Sequence, residues 1–480
     1  MIASLLALLA IAGAGGFSQT GQSAAPLPAV ESAQSSPPPF QSLRYEEDWS
    51  YLKDASKRSE WIDTMKYIPV NRRGWYVSVG GESRLRYEYF SQFNFGAGAQ
   101  DENGYLLQRY LMHADSHFGD RVRVFTQLQS AISNWRNGGP RPTDDDRLEV
   151  HQAFLDLKFG DDAKSLTFRL GRHEMDFGSG RLISAGEGLN VRRSFDGLRV
   201  IYRQGPWLVN GQIDKLVSIK PGLFNDGPDS SQTFWGIGAT LSRPKIRGGH
   251  QFAYIALDRK VGRFDQGSGR ERRHTVIART YGASDTRAGP FDYNFDTIFQ
   301  WGLFKSSGSE ASIRAWALAA DLGQTISRIP LKPRLGLRAD ATSGDRDPSD
   351  QRLETFNPLF PGTSYSDTIG LIGAANSLAL DPNVRVAVTE RGTLSAGVAF
   401  FWRESTRDGI YGINVAPLRV GGRSRARGVG TMPSLKLDWR ISRHLTYTAT
   451  YSRFLAGRFL KETPPGEDIE YVTTWLTFRF

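Results

Sequence analysis

The chain contains no cysteine. That excludes a disulfide framework, thiol catalysis and cysteine-ligated zinc. It has no apolar run of about 18 residues, the length at which a segment reads as a membrane-spanning helix. It also lacks a G-x-S-x-G elbow and a phosphate loop, and the "GSG" at 178–180 has neither the spacing nor the lysine. Mean hydropathy is negative, yet 12% of the residues are aromatic. Disordered chains are poor in aromatic rings, so disorder is excluded too. What remains favours many short alternating strands joined by turns rich in Gly and Asp.

The first stretch, "MIASLLALLAIAGAGGFSQTGQSAAP", carries an apolar run from Ile2 towards Ala14, then small and polar residues. Such a run is too short to span a bilayer and suits a signal peptide, assigned here to 1–25, although no Lys or Arg precedes it. Residues 26–74 read as a linker and a short N-terminal segment. Its "RYEEDWSYLKDASKRSEWIDTMKYIPVNRRGW" mixes charges and tryptophans without alternation, which predicts an ordered, partly helical lead-in.

From Trp75 to the end the pattern is period two. Val77, Val79, Leu85, Tyr87 and Tyr89 share one parity, and Ser78, Glu82, Arg84, Arg86 and Glu88 the other. "RVRVFTQLQS", "LTFRLG" and "SLKLDWRI" repeat it, so each strand has an apolar face and a charged face. A soluble sandwich would turn the apolar face inward and a membrane barrel turns it outward. The closing "YVTTWLTFRF", with Val472, Leu476, Phe478 and a terminal Phe480, reads as the last strand of an outer-membrane barrel. The fold class is therefore an all-β, antiparallel transmembrane β-barrel over 75–480, with about 18 strands and an aqueous lumen. The location is the bacterial outer membrane. Long polar loops, among them 136–147, 343–368 and 414–430, belong on one side of the barrel, and tight turns such as Gly119-Asp120 on the other.

Net charge is +10, which points to an anionic partner, and nucleic acid does not suit an exported barrel. Arg84, Arg86, Arg121, Arg123, Arg169, Arg199 and Arg203 fall on the parity opposite the apolar residues, towards the lumen. Their forked guanidinium groups match carboxylates. They could equally pair with Glu82, Glu88, Asp156 and Asp214 to stiffen the wall. "FRLGRHEMDFGSGRLIS" at 168–184 concentrates charge beside glycines and reads as a constriction wall. Arg169, Arg172, Arg181, Arg192 and Arg193 are the expected constriction, Arg84, Arg86 and Arg123 the wider path, and Asp196 the residue that orients an arginine. His173, Glu174 and Asp176 lack a nucleophile beside them, so no enzyme and no cofactor are expected. "HADSH" at 113–117 would set its two histidines about 13 Å apart on a strand, too far to share an ion. "DDD" at 144–146 reads as a solvated loop rather than a Ca²⁺ ligand set.

Several stretches resemble the alginate export family of outer-membrane barrels: "RYEEDWSYL…WYVSVGGESRLRYEYF", "LTFRLGRHEMDFGSGRLIS…NVRRSFDGLRV", "FNPLFPGTSY" and "YSRFLAGRFLKETPPGEDI". The family's "GRQ" element falls on Gly171 and Arg172, with His173 where Gln is usual. Its "RRSFDG" element gives Arg192, Arg193 and Asp196. The resemblance implies an 18-stranded monomeric channel passing an acidic polysaccharide or oligosaccharide through an electropositive constriction. Outer-membrane lipid and periplasmic export components would be its other partners. The alternatives are an uptake porin for small organic anions and an outer-membrane lipid-modifying enzyme. The enzyme would need a Ser/His/acid set at the lipid-facing rim.

Overall fold

The computed structural model describes residues 38–71, 74–101, 103–362 and 369–480; the expected signal peptide lies outside them. The wall begins with β1 (Tyr76–Phe90), β2 (Tyr105–Phe118), β3 (Val122–Asn134), β4 (Asp146–Gly160), β5 (Lys164–His173) and β6 (Phe195–Gln204). It continues through β7 (Trp207–Ser218), β8 (Gln232–Arg243), β9 (Gly248–Phe264), β10 (Gly267–Thr286), β11 (Gly289–Ser306) and β12 (Ser309–Thr325). It ends with β13 (Arg334–Thr342), β14 (Ser377–Ala387), β15 (Gly392–Trp402), β16 (Gly428–Arg440), β17 (Leu445–Ala456) and β18 (Ile469–Arg479). Each strand pairs antiparallel with the next. β18 returns to β1, from Glu82↔Arg479 to Phe90↔Tyr471, and closes a barrel of 18 strands. Closure leaves no wall edge unpaired, which is what lets a sheet stand in hydrocarbon.

Parity sorts the side chains. On β1, Glu82, Arg84, Arg86 and Glu88 face in and are buried, whereas Leu85 and Tyr87 face out and are 41% and 38% exposed. Met112, Leu170 and Ile237 continue the outer apolar surface. In water so large an apolar surface would drive association, and in a bilayer it is the solvated face. Turns 119–121, 161–163, 205–206, 244–247 and 287–288 share one end of the barrel with the start of β1 and the end of β18. Segments 91–101, 135–145, 174–194, 219–231, 343–362, 369–376, 403–427 and 457–468 share the other. Short turns mark the periplasmic end of such barrels and long loops the extracellular one. Two tight turns, 265–266 and 307–308, also lie at the long-loop end, where β9 to β12 are themselves 17 to 20 residues long.

The interior is not the uniformly aqueous lumen that barrel width alone suggests. Segments 174–194 and 343–362 fold inward and pair, with Phe360 N–H donating to Leu182 O (2.8 Å) and Ser184 N–H to Phe360 O (2.9 Å). Leu182, Ile183 and Phe360 pack on lumen-facing Phe195, Phe234 and Ile255 as a buried apolar cluster. From the periplasmic end the lead-in enters as well, through helical turns at Arg44–Glu46, Ser50–Lys53 and Asp63–Lys66. Arg44 donates to Gly81 O (2.9 Å) and Phe480 O (2.8 Å). Tyr45 packs edge-on against Phe125 and Phe154 on the inner wall.

Candidate pore constriction

Near its end strand β5 carries Gly171. It has φ +124°, and a Cβ there would collide with the carbonyl oxygen of Ala153. Two residues later the chain leaves the wall, crosses the lumen and returns at Phe195. Arginines hold the crossing at both ends. On the near side Arg84 donates to Glu187 O (2.8 Å) and Leu189 O (2.6 Å), Arg86 to Gly188 O (2.6 Å) and Arg109 to Leu189 O (2.9 Å). Asn190 adds a bond to Asp144 O (2.8 Å). On the far side Arg181 spans Asp296 of β11 (2.8 Å) and Asp340 of β13 (3.1 Å). Loop carbonyls drawn into a lumen must find donors, and forked guanidinium groups supply two or more each.

The remaining expected residues are equally engaged. Arg192 grips Glu174 at both oxygens, and His151 meets the same carboxylate at 2.7 Å. Burial would raise that carboxyl, but the Arg192 guanidinium and the His151 hydrogen bond hold it at about 2. Arg193 donates to Ser184 O (2.6 Å) and Phe360 O (2.8 Å), and so joins the two inward segments. Arg169 makes two bonds of 2.8 Å to Asp156, with its guanidinium over the rings of Tyr45 and Phe154. Arg123 pairs with Asp115 (2.7 Å) and donates to Tyr45 O (2.6 Å). Buried charges of this kind are tolerated only when matched.

Two residues fall outside the group. Arg172 and Asp196 pair with each other (2.8 Å) but share the parity of Leu170 and Leu198, which are 60% and 38% exposed on the outer face. Arg172 also donates to Asp226 O at 3.3 Å, towards segment 219–231. Arg172 is three positions beyond the inward Arg169 and so takes the opposite parity. His173 is buried beside Asp214, 3.7 Å away, with Nδ1 at 3.1 Å from Gly171 O and Nε2 without a hydrogen-bond partner.

Sequence reasoning missed Arg109, fully buried against Glu82 and Glu187. It also missed the far-wall set of Arg273, Arg279 and Arg334 with Glu271, Asp296 and Asp292. The same parity rule, applied to β2, β10, β11 and β13, would have found them. Arg199 and Arg203 of β6 differ from all of these. They lie on the inward parity with no carboxylate at ion-pair distance among the described residues, and Arg199 Nε has no partner. Of the motif residues, His113 is buried against Phe125, while His117 pairs with Asp115 at 3.1 Å.

A closed barrel of 18 strands, with an apolar exterior and a lumen narrowed by inward loops, defines an outer-membrane channel of the porin type. The sequence profile of the alginate export family ("Alginate export") matches residues 75–473, and the chain belongs to that family. No curated protein matches its sequence. Among solved structures it is similar to the Pseudomonas aeruginosa outer membrane protein OpdK, with TM-score 0.56, 11% identity, and 84% of this chain covering 99% of that one. OccK2 (OpdF) of the same organism, solved in complex with glucuronate, gives 0.52 and 11%, covering 84% and 96%. A BenF-like porin from Pseudomonas fluorescens Pf-5 gives 0.55 and 10%, covering 84% and 99%. These likenesses concern the fold.

Proposed function

We propose that the chain is a passive, anion-selective channel whose solute is an acidic polysaccharide or oligosaccharide. The observation that carries this reading is the contrast along the inner wall. Among the described residues most lumenal arginines hydrogen-bond to carboxylates or carbonyls, whereas Arg199 and Arg203 make no such contact and feel Glu46 and Asp214 only from beyond ion-pair distance. Guanidinium groups free of direct pairs on a low-dielectric wall focus a positive potential, and two of them in line offer successive weak sites for carboxylates. Arg181, Arg192 and Arg193 act as the frame of the constriction, Arg84 and Arg86 anchor it, and Arg123 and Arg169 hold the lead-in at Tyr45. Membership of the alginate export family supports a polyuronate as the solute. The test is conductance in planar bilayers. We expect anion selectivity that the double change Arg199→Ala, Arg203→Ala weakens, and block by uronate oligomers. Cation selectivity, or selectivity unchanged in that variant, would refute the reading.

A second reading, an uptake porin for small organic anions, is favoured by the inward packing of segments 174–194 and 343–362. The glucuronate complex of OccK2 (OpdF) supports it too. Block by monomeric uronate as strong as block by the oligomer would select this second reading.

A further inference from the structure

We propose that Asp146, Glu149 and Asp226 form a site for one hard divalent cation, calcium by class, which fastens segment 219–231 to the extracellular rim. The place is set by the constriction. Because β5 leaves the wall after His173, the first residues of β4 lose their neighbour, and residues 222–226 take its position. Leu148 pairs there with Leu223, with Leu148 N–H donating to Gly222 O (3.3 Å) and Phe224 N–H to Leu148 O (2.9 Å). At this junction ligand oxygens of Asp146, Glu149 and Asp226 all lie within 4.8 Å of one another.

Proximity of carboxylates is not itself a site; the state of Asp146 is the independent observation. It is 0% exposed, and neither of its oxygens has a hydrogen-bond partner. An isolated buried carboxylate without a donor is too costly to persist, so a cation or a proton must be supplied. Its two neighbours are positioned by main-chain donors. Glu149 Oε1 accepts from the N–H groups of Asn225 and Asp226, and Asp226 Oδ1 from that of Lys220 (2.6 Å). Each keeps its second oxygen. The same residues line a cavity with room for about one water-sized sphere. Arg172 and Arg192 also line it, but Asp196 and Glu174 already neutralise them. None of the three carboxylates has a cation at ion-pair distance among the described residues, and Arg172 and Lys220 act on Asp226 only from further away. All-oxygen, carboxylate-rich sites suit calcium over softer metals. The "DDD" at 144–146, expected to be solvated, is instead buried at Asp144 and Asp146.

The test uses the full-length barrel in detergent, free of lipopolysaccharide and stripped with a chelator. Isothermal titration with calcium chloride is expected to show one site per chain, with Kd on the order of 10⁻⁴ to 10⁻³ M, as in extracellular modules. Asp226→Asn and Asp146→Asn are each expected to weaken it at least tenfold. Asp161→Asn, in a periplasmic turn, serves as the control and should leave it unchanged. Calcium should also slow proteolytic cleavage within 219–231 in the unaltered protein, a readout that holds even if a variant fails to fold. Absence of saturable calcium binding, or binding unchanged in both variants, would overturn the proposal. So would a rim that acid protects from proteolysis and calcium does not, because shared protons would then hold the cluster.

Discussion

Replacing Arg181 by Ala tests whether arginines frame the constriction. Arg181 is 6% exposed and connects segment 174–194 with two different strands, through Asp296 Oδ2 at 2.8 Å and Asp340 Oδ1 at 3.1 Å. Removing one member of a buried ion pair costs about 3–5 kcal/mol, because the other charge stays buried and unpaired. Here the lower end applies. Asp340 keeps Arg338 at 2.9 Å, and Asp296 keeps Arg279 at 3.7 Å. A loss of about 3 kcal/mol shifts the equilibrium between the seated and unseated segment about 10²-fold, since each 1.4 kcal/mol is tenfold. Single-channel recording should therefore show larger and noisier conductance for Arg181→Ala. Hydrogen exchange within 176–186 should rise by a comparable factor. Unchanged conductance together with unchanged exchange would refute the idea that this contact holds the segment, whatever its effect on overall folding.

Further tests address other parts of the structure. Lys66 is 1% exposed, has no hydrogen-bond partner, and stands among the rings of Phe40, Trp49 and Phe480. Burial lowers its ammonium to about 7. The undocked lead-in would carry the ordinary, higher value, so docking releases a proton and strengthens as pH rises from about 7 towards the unfolded value near 10.4. Protection of 38–67 from protease should increase over that range and become flat in Lys66→Met; a flat profile in the unaltered chain would contradict this. Gly171→Ala combines a disfavoured φ with a backbone collision at Ala153. Strained backbone costs about 1–3 kcal/mol before the collision is counted, so the folded, heat-modifiable band should be reduced or lost, and a normal yield would refute the requirement. Glu174→Gln leaves His151 facing a neutral group and Arg192 with Glu187 alone. It should weaken the near end of the crossing by about 3 kcal/mol, seen as faster exchange at 187–192, whereas Asp162→Asn, in an exposed turn pair, should not.

Strand and face were legible in the sequence because a lumen and a bilayer impose a strict period of two. Leu85 against Arg86, or Leu476 against Trp475, declares its side without knowledge of any partner. The lead-in was legible as ordered but not as inserted, since its anchors Gly81, Phe125, Phe154 and Phe480 come from four different strands or ends. The arginines were legible as inward, and so were near partners such as Glu88 for Arg86 and Asp156 for Arg169, but the distant partners were not. Arg181 meets Asp296 and Asp340 from 115 and 159 positions away, and no local pattern encodes such a match. Reading failed where the period broke. In β4 the pairing with β3 shifts register at Gln127/Leu128 and again at Gln129/Ala131. Each bulge re-aims the residues beyond it, so Asp146 turns to a buried junction that composition alone presents as a polar loop. Arg172 fails for a simpler reason: it is an odd number of residues from Arg169.

The density of arginine has a physical cause that a pore-lining role alone would not require. A barrel of this girth encloses more space than strand side chains fill, and here two long segments and the lead-in occupy part of it. Chain brought into such a space carries carbonyls and carboxylates out of bulk water, and each needs a donor. Lysine offers a point charge, whereas arginine reaches a carboxylate and a carbonyl at once, as Arg192 does with Glu174 and Ser42 O (3.1 Å). Wall and crossing segment thus commit most of their cations to fixing one conformation of the constriction, with Arg86, Arg109, Arg181 and Arg192 each balanced by an acid. Selectivity then falls to the cations left over. On that argument the anion path is marked by Arg199 and Arg203 on β6, which make no direct ion pair among the described residues, rather than by the most arginine-rich stretch. Changing the framing arginines should alter how wide and how steady the channel is, and changing these two should alter which ions it prefers.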